Sequence, residues 1–261
     1  MRYWAAFLLV VIFCVSCTDP MQKGLSEGSW LAQLQVQDGE TLPFNFDLKN
    51  DKGQLKMDSI RIQLPVFEGY VKGRFNDTVI DGEFIIESLN RVVPFKATFG
   101  KQPRFKTTQE PLTDISGIWE TEFSPNSSNS YLGKGVFTQN GNKVTGTFRT
   151  TTGDYRFLDG AIDGDIMKIS AFDGAHAFLF TAKVTDSTLK GTFYSGNHYQ
   201  EPFMAVRNES FELPDADSLT FLKAGHEKFT FDFPDSDGRQ ISLEDDQFKN
   251  KAVIVQIMGT W

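Results

Sequence analysis

The side chains best suited to chemistry are few and far apart. His176, His198 and His226 are separated by 22 and 28 residues, with no pair at helical spacing, so they do not make a zinc set. The chain has two cysteines, Cys14 and Cys17. From Thr18 onward there is no thiol nucleophile, no disulfide and no cysteine metal site. Residues 126–130, "NSSNS", form a polar loop without the Gly-x-Ser-x-Gly spacing of a nucleophile elbow. Asp163, Asp165 and Asp173 stand at turn-like positions that favour Asp, and "DGAIDGDIMKISAFDG" lacks the spacing of a calcium loop. No Gly-rich phosphate loop precedes a helix. Between residues 18 and 250 the sequence predicts no catalytic group, no metal and no cofactor. The remaining candidates are polar-tipped rings: Tyr131, Tyr155, Tyr194, His198 and Tyr199. In a small β-barrel such rings can line a ligand site or belong to a filled interior, and aromatics at this spacing mostly pack.

The elements that would position them read as β-strands. Of 261 residues 25 are Phe and 22 are Gly, a composition of aromatic strands joined by tight turns. A Gly-x-Trp opens an alternating run twice, at "GSWLAQLQV" (28–36) and, 89 residues on, at "GIWETEF" (117–123). An apolar-x-Gly-x-Phe unit occurs as "VKGRF" (71–75), "IDGEF" (80–84), "VTGTF" (144–148) and "LKGTF" (189–193). In a strand its first, third and fifth positions share one face. The outer two point to the core, and the Gly makes room for a neighbour or lets the strand coil. "NDKG" (50–53), "QNGNK" (139–143) and "DGDI" (163–166) read as hairpin turns. The fold class expected is therefore mainly β: two antiparallel barrel or sandwich modules, 24–108 and 113–208, joined by a linker within 100–114. Trp30, Trp119 and the Phe series are expected in the cores. The Gly-x-Trp openings resemble those of lipocalin- and avidin-type barrels. The net charge of −8 argues against nucleic acid as a partner.

Residues 1–17, "MRYWAAFLLVVIFCVSC", have a basic start at Arg2 and an apolar run too short to span a bilayer comfortably. They read as a secretory signal. The small residue before Cys17 resembles the bacterial lipobox, with Cys14 where that motif usually has Leu. The resemblance implies lipid attachment at Cys17, a membrane partner through the anchor, and an extracytoplasmic place in a bacterial envelope.

From Leu222 the texture changes. "KFTFDF" predicts a short strand with Phe229, Phe231 and Phe233 on one face, and "PDSDGRQ" a turn. Ser242 with Asp245 three residues on predicts a capped short helix, and "AVIVQIMG" a buried strand. This order resembles the start of a thioredoxin-fold domain of the membrane-anchored TlpA-like type, within the AhpC/TSA/thioredoxin superfamily. The matching residues are Asp237-Gly238, Ile241 to Leu243, Asp245 or Asp246, Phe248-Lys249, Lys251, Val253 to Val255 and Gly259 to Trp261. The resemblance implies an incomplete α/β domain over 222–261, with Trp261 flanking a Cys-x-x-Cys that would follow it. It implies a lipid-anchored thiol-disulfide oxidoreductase acting on protein disulfides with a membrane reductase, of which this chain would be an inactive N-terminal part. A peroxiredoxin is less favoured, because the Pro of its signature would fall at Gln256. Two other readings stay open: a surface lipoprotein whose β modules bind a small molecule or a glycan, and a purely structural interaction module.

Overall fold

Each Gly-x-Trp turns the chain into a strand in the same way. Gly28 and Gly117 adopt φ of 122° and 117°, values open to residues without a Cβ. Two residues on, the indole is fully buried and its N–H donates to the carbonyl four residues back. The distance is 3.0 Å from Trp30 to Ser26 and 2.8 Å from Trp119 to Ile115. The structure, a computed structural model, describes residues 24–49, 59–219 and 221–256. The expected signal over 1–17, Cys17, the "NDKG" turn and Trp261 lie outside them.

Behind Trp30 lies a six-stranded antiparallel sheet: β1 (Gly28–Gln35), β2 (Thr41–Leu48), β3 (Ser59–Gln63), β4 (Tyr70–Phe75), β5 (Val79–Ile86) and β6 (Arg91–Phe99). Apart from β2 and β3, strands adjacent in the chain pair; β6 returns to pair with β1, and among the described residues β2 and β3 are left as the two edges. Behind Trp119 the chain forms β7 (Gly117–Phe123), β8 (Tyr131–Asn140), β9 (Lys143–Thr150), the two-residue β10 (Gly153–Asp154), β11 (Leu158–Asp163), β12 (Ile166–Phe172), β13 (Ala177–Val184), β14 (Thr188–Ser195) and β15 (Tyr199–Arg207). Apart from β10, each strand pairs with the next, and β15 closes on β7, giving an up-and-down antiparallel barrel of eight strands. The turns at 140–143 and 163–166 are tight hairpins, with Asn140 opposite Lys143 and Asp163 opposite Ile166.

The Gly-x-Phe units lie in β4, β5, β9 and β14. Their apolar and Phe positions, Val71 and Phe75, Ile80 and Phe84, Val144 and Phe148, Leu189 and Phe193, are all buried. Their glycines permit close strand contact. Gly73 faces Gly82 across β4 and β5, and a Cβ on Gly191 would run into the Thr181 carbonyl of β13. The barrel core is built from rings, with Phe123, Phe148, Phe180 and Phe203 essentially fully buried.

The barrel also serves the first sheet. Along β13, Phe178, Phe180 and Ala182 point into the barrel core, while Ala177 and Leu179 belong to the core of the first sheet. Tyr194 joins them from β14, and Phe172 stacks on Phe44 at 4.3 Å and meets Phe84 edge-on at 5.3 Å. Period-2 alternation thus puts one strand to work in two cores.

Residues 214–261 form a second compact unit, and here the thioredoxin expectation is corrected. Among the described residues the unit holds one four-residue helical turn, α1 (Ala216–Leu219), and a two-stranded antiparallel ribbon of β16 (Asp232–Pro234) and β17 (Gln240–Ser242). The predicted capped helix is a single 3-10 turn at Asp246–Phe248, although Ser242 and Asp245 do exchange local bonds: the Ser242 amide donates to Asp245 Oδ2 at 3.2 Å. Residues 252–256, expected as a buried strand, carry no regular secondary structure, and Ile254 is 95% exposed. A strand that apolar needs partners on its edges and cover on its faces, and among the described residues it has neither. The described tail contains no α/β start.

Candidate functional site

The sequence-level ring candidates divide into two groups. Tyr131, at the start of β8, and Tyr155, just after β10, meet at the end of the barrel away from Trp119. Their hydroxyls lie 2.6 Å apart. Tyr131 donates to Glu201 Oε1 at 2.6 Å, and Ser124 donates to Glu201 Oε2 at 2.5 Å. Glu201 is only 4% exposed. Burial, then the Glu201 and Tyr155 contacts, hold the Tyr131 phenol far above its ordinary value. Burial pushes Tyr155 up to about 12, and burial followed by the nearby Glu201 charge raises Tyr199. Glu201 is the member that residue-type reasoning missed. The signal was its register: it lies two and four residues before the inward-facing Phe203 and Ala205.

This polar group satisfies itself. Tyr131 stacks on Phe123 at 4.9 Å, Tyr155 lies 5.3 Å from the same ring, and Tyr155 also meets Phe193 at 4.8 Å. The mouth of the barrel is filled by these side chains.

Tyr194 instead faces outward into the core of the first sheet. His198 lies in the β14–β15 turn, where burial and then the Arg91 charge keep its pKa below the usual imidazole value. His176 pairs with Asp173 at 3.0 Å beside Arg156, whose Nε reaches Asp173 Oδ2 at 2.7 Å. His226 sits in a backbone turn of the tail. Asp163 accepts the Thr108 and Gln109 amides at 2.8 and 2.6 Å, and Asp165 pairs with Lys183 at 3.3 Å. Among the described residues no group of three or more His, Cys, Asp or Glu side chains is placed to hold a metal. No helix among them is long and apolar enough to cross a membrane.

An open concavity lies elsewhere, between the edge of the first sheet and the barrel wall. The 100–114 segment is pinned along both. Arg104 donates to the Ser170 carbonyl at 2.6 Å and reaches Asn45 Oδ1 at 3.3 Å, so it bolts β2 to β12. Burial lowers the Arg104 pKa, partly offset by Asp159. On one side of this bolt is a groove of about 850 Å³, a size typical of small-ligand sites. Phe46 and Phe105 contribute its rings, and Asn45, Asp47, Asn142 and Asp159 its hydrogen-bonding groups, with Lys101 and Lys143 alongside. Phe46 is held by Trp30, which stacks with it at 6.3 Å. Asp47 is oriented by Ser29 Oγ at 2.6 Å, and Lys143 stands 3.8 Å from Asp159.

No family model and no curated protein matches the chain. Among solved structures it is similar to a protein of unknown function from the DUF3598 family of Nostoc punctiforme. Identity is 12%, covering 71% of this chain and 96% of that one, with a TM-score of 0.23. That likeness is too slight to carry an argument. The expected TlpA-like membership is therefore corrected: no family model matches, the described chain is a barrel with a companion sheet, and the oxidoreductase reading attached to that resemblance finds no support.

Proposed function

We propose that the β unit is a binding module for a neutral, polyhydroxylated ligand such as a short glycan, carried at an envelope surface by lipid on Cys17. The observation that carries this reading is the groove. It combines two aromatic rings, which suit the C–H faces of sugar rings, with side-chain amides and carboxylates that match hydroxyl donors and acceptors. Its two carboxylates stand among Lys101, Arg104 and Lys143, so charge of one sign does not dominate and an uncharged ligand is accommodated. The barrel interior is a weaker candidate, because phenyl rings fill it.

The test is an amide-resolved NMR titration of the purified chain with a panel of neutral oligosaccharides. Binding should shift the amides of Asn45, Lys101, Gln102, Arg104, Phe105, Asn142 and Asp159, and Asp159→Ala should weaken it about tenfold, the loss of a charge-assisted hydrogen bond. A panel in which no member moves those amides at millimolar concentration would refute the reading.

A further inference from the structure

A second space of opposite character shares two lining residues with the groove. Among the described residues β2 and β3 do not pair, and they form the two edges of the first sheet. Between the two edges lies a cleft of about 250 Å³ walled by Phe44, Phe95, Val71, Ile62, Leu64 and Phe172. Three of these, Phe44, Phe95 and Val71, are core residues of the sheet, so the cleft opens directly onto the core. Val66, 81% exposed, and Phe67 stand at its rim. Protein interiors are close-packed, and an apolar cavity of about 150 Å³ is enough to hold benzene. This cleft admits a larger hydrocarbon group.

Asn45 and Phe46 line both the polar groove and the apolar cleft. A polar space and an apolar space that share two adjacent residues match a ligand that changes character along its length. The charges narrow the choice of head. In the groove Asp47 and Asp159 stand among Lys101, Arg104 and Lys143, and Asp173 borders the cleft, so charge of neither sign dominates and an uncharged head is accommodated.

We propose that a single uncharged glycolipid with one hydrocarbon chain occupies both spaces, its sugar in the groove and its chain in the cleft, crossing at Asn45 and Phe46. The proposal rests on the glycan reading of the groove and adds the chain.

The experiment is titration calorimetry of the purified full chain with n-alkyl glucosides of increasing chain length, each below its critical micelle concentration, with glucose and n-octanol as the separated parts. Affinity should rise roughly two- to fourfold per methylene, as burial of each CH₂ requires, and then level off once the cleft is full. Octyl glucoside should bind more tightly than either part. Ile62→Trp and Val66→Trp, which fill the cleft, should flatten the chain-length dependence and leave the glucose-induced shifts in the groove unchanged. Val66 is mostly exposed, so its variant guards against a folding defect at Ile62. Glucose shifts with no chain-length dependence would overturn the glycolipid and leave the glycan reading standing. Octanol binding as tightly as octyl glucoside, with no effect of Asp159→Ala, would overturn both. Affinity that climbs without levelling is partition onto a surface and would overturn the cleft.

Discussion

The Arg207 guanidinium carbon lies 4.5 Å from the centroid of the Trp119 ring, directly across the β15–β7 pairing that closes the barrel. Its nitrogens donate to the carbonyls of Asp114 at 2.5 Å, Ser116 at 2.6 Å and Asp186 at 3.0 Å. One side chain therefore covers the indole, holds the end of the linker and fastens the turn before β14. In the first sheet the corresponding partner of Trp30 is Phe99, which meets it edge-on at 5.5 Å. Arg207→Ala should lower stability by about 2–4 kcal/mol, the sum expected from a cation–π contact and charged hydrogen bonds. Arg207→Lys should recover only part, because an ammonium cannot reach three carbonyls in one plane. The midpoint of urea unfolding reads both.

The glycines of the Gly-x-Phe strands predict a second contrast. At Gly191 an added methyl meets the backbone of β13, whereas at Gly141 nothing lies within 4 Å and the only obstacle is a φ of 57°. Gly191→Ala should cost about 3 kcal/mol through overpacking. Gly141→Ala should cost about 1 kcal/mol through left-handed strain. Equal losses in denaturant melts would mean that strand proximity is not what selects Gly191.

The tyrosines at the barrel mouth give a signed pH dependence. Tyr155 is raised from 10.0 to about 12, and Tyr131 further still. A phenol whose folded pKa is raised stays protonated in the folded state after the unfolded state has begun to ionise. Its contribution is complete below the unfolded value and declines as pH rises through and above about 10. Stability followed from pH 8 upward should therefore fall above about pH 10. Tyr155→Phe should flatten part of that fall.

Asp173 predicts the opposite limb. Burial alone would raise its carboxyl, but hydrogen bonds from the His176 ring and backbone, Arg156 and the Ala175 amide outweigh it and leave it well below its ordinary 3.8. A depressed carboxyl contributes above its unfolded value and is lost as pH falls below it. Thermal melts from pH 5 down to pH 2 should show a steeper acid loss in the natural chain than in Asp173→Asn, and the variant should begin from a lower melting temperature at neutral pH.

Much of the β architecture was legible because it is local. The alternation around Trp30 and Trp119, the Gly-x-Phe units and the hairpin turns at 140–143 and 163–166 all act over a few residues. The closure of β15 on β7 joins residues 80 to 88 apart, and no short window contains it. Glu201 was hidden because a carboxylate on an inward register looks like a surface residue until its partners, Ser124 and Tyr131, arrive from elsewhere in the chain. The polar groove was hidden because β1, β2, the linker, the β8–β9 hairpin and β11 reach it from separate stretches of the chain. The tail misled for the converse reason. "AVIVQ" has the composition of a buried strand, but strand formation needs edges to pair with, and composition carries no information about them.

The double use of β13 also bears on how such a chain is inherited. With Leu179 completing one core and Phe180 the other, the first sheet cannot be shuffled away from the barrel as an independent cassette without baring Phe44 and Phe84. A drift at Leu179 must be answered in residues more than 80 positions earlier. The two Gly-x-Trp halves therefore evolve as one heritable unit, and recombination between them should be tolerated only where both sides of that wall travel together.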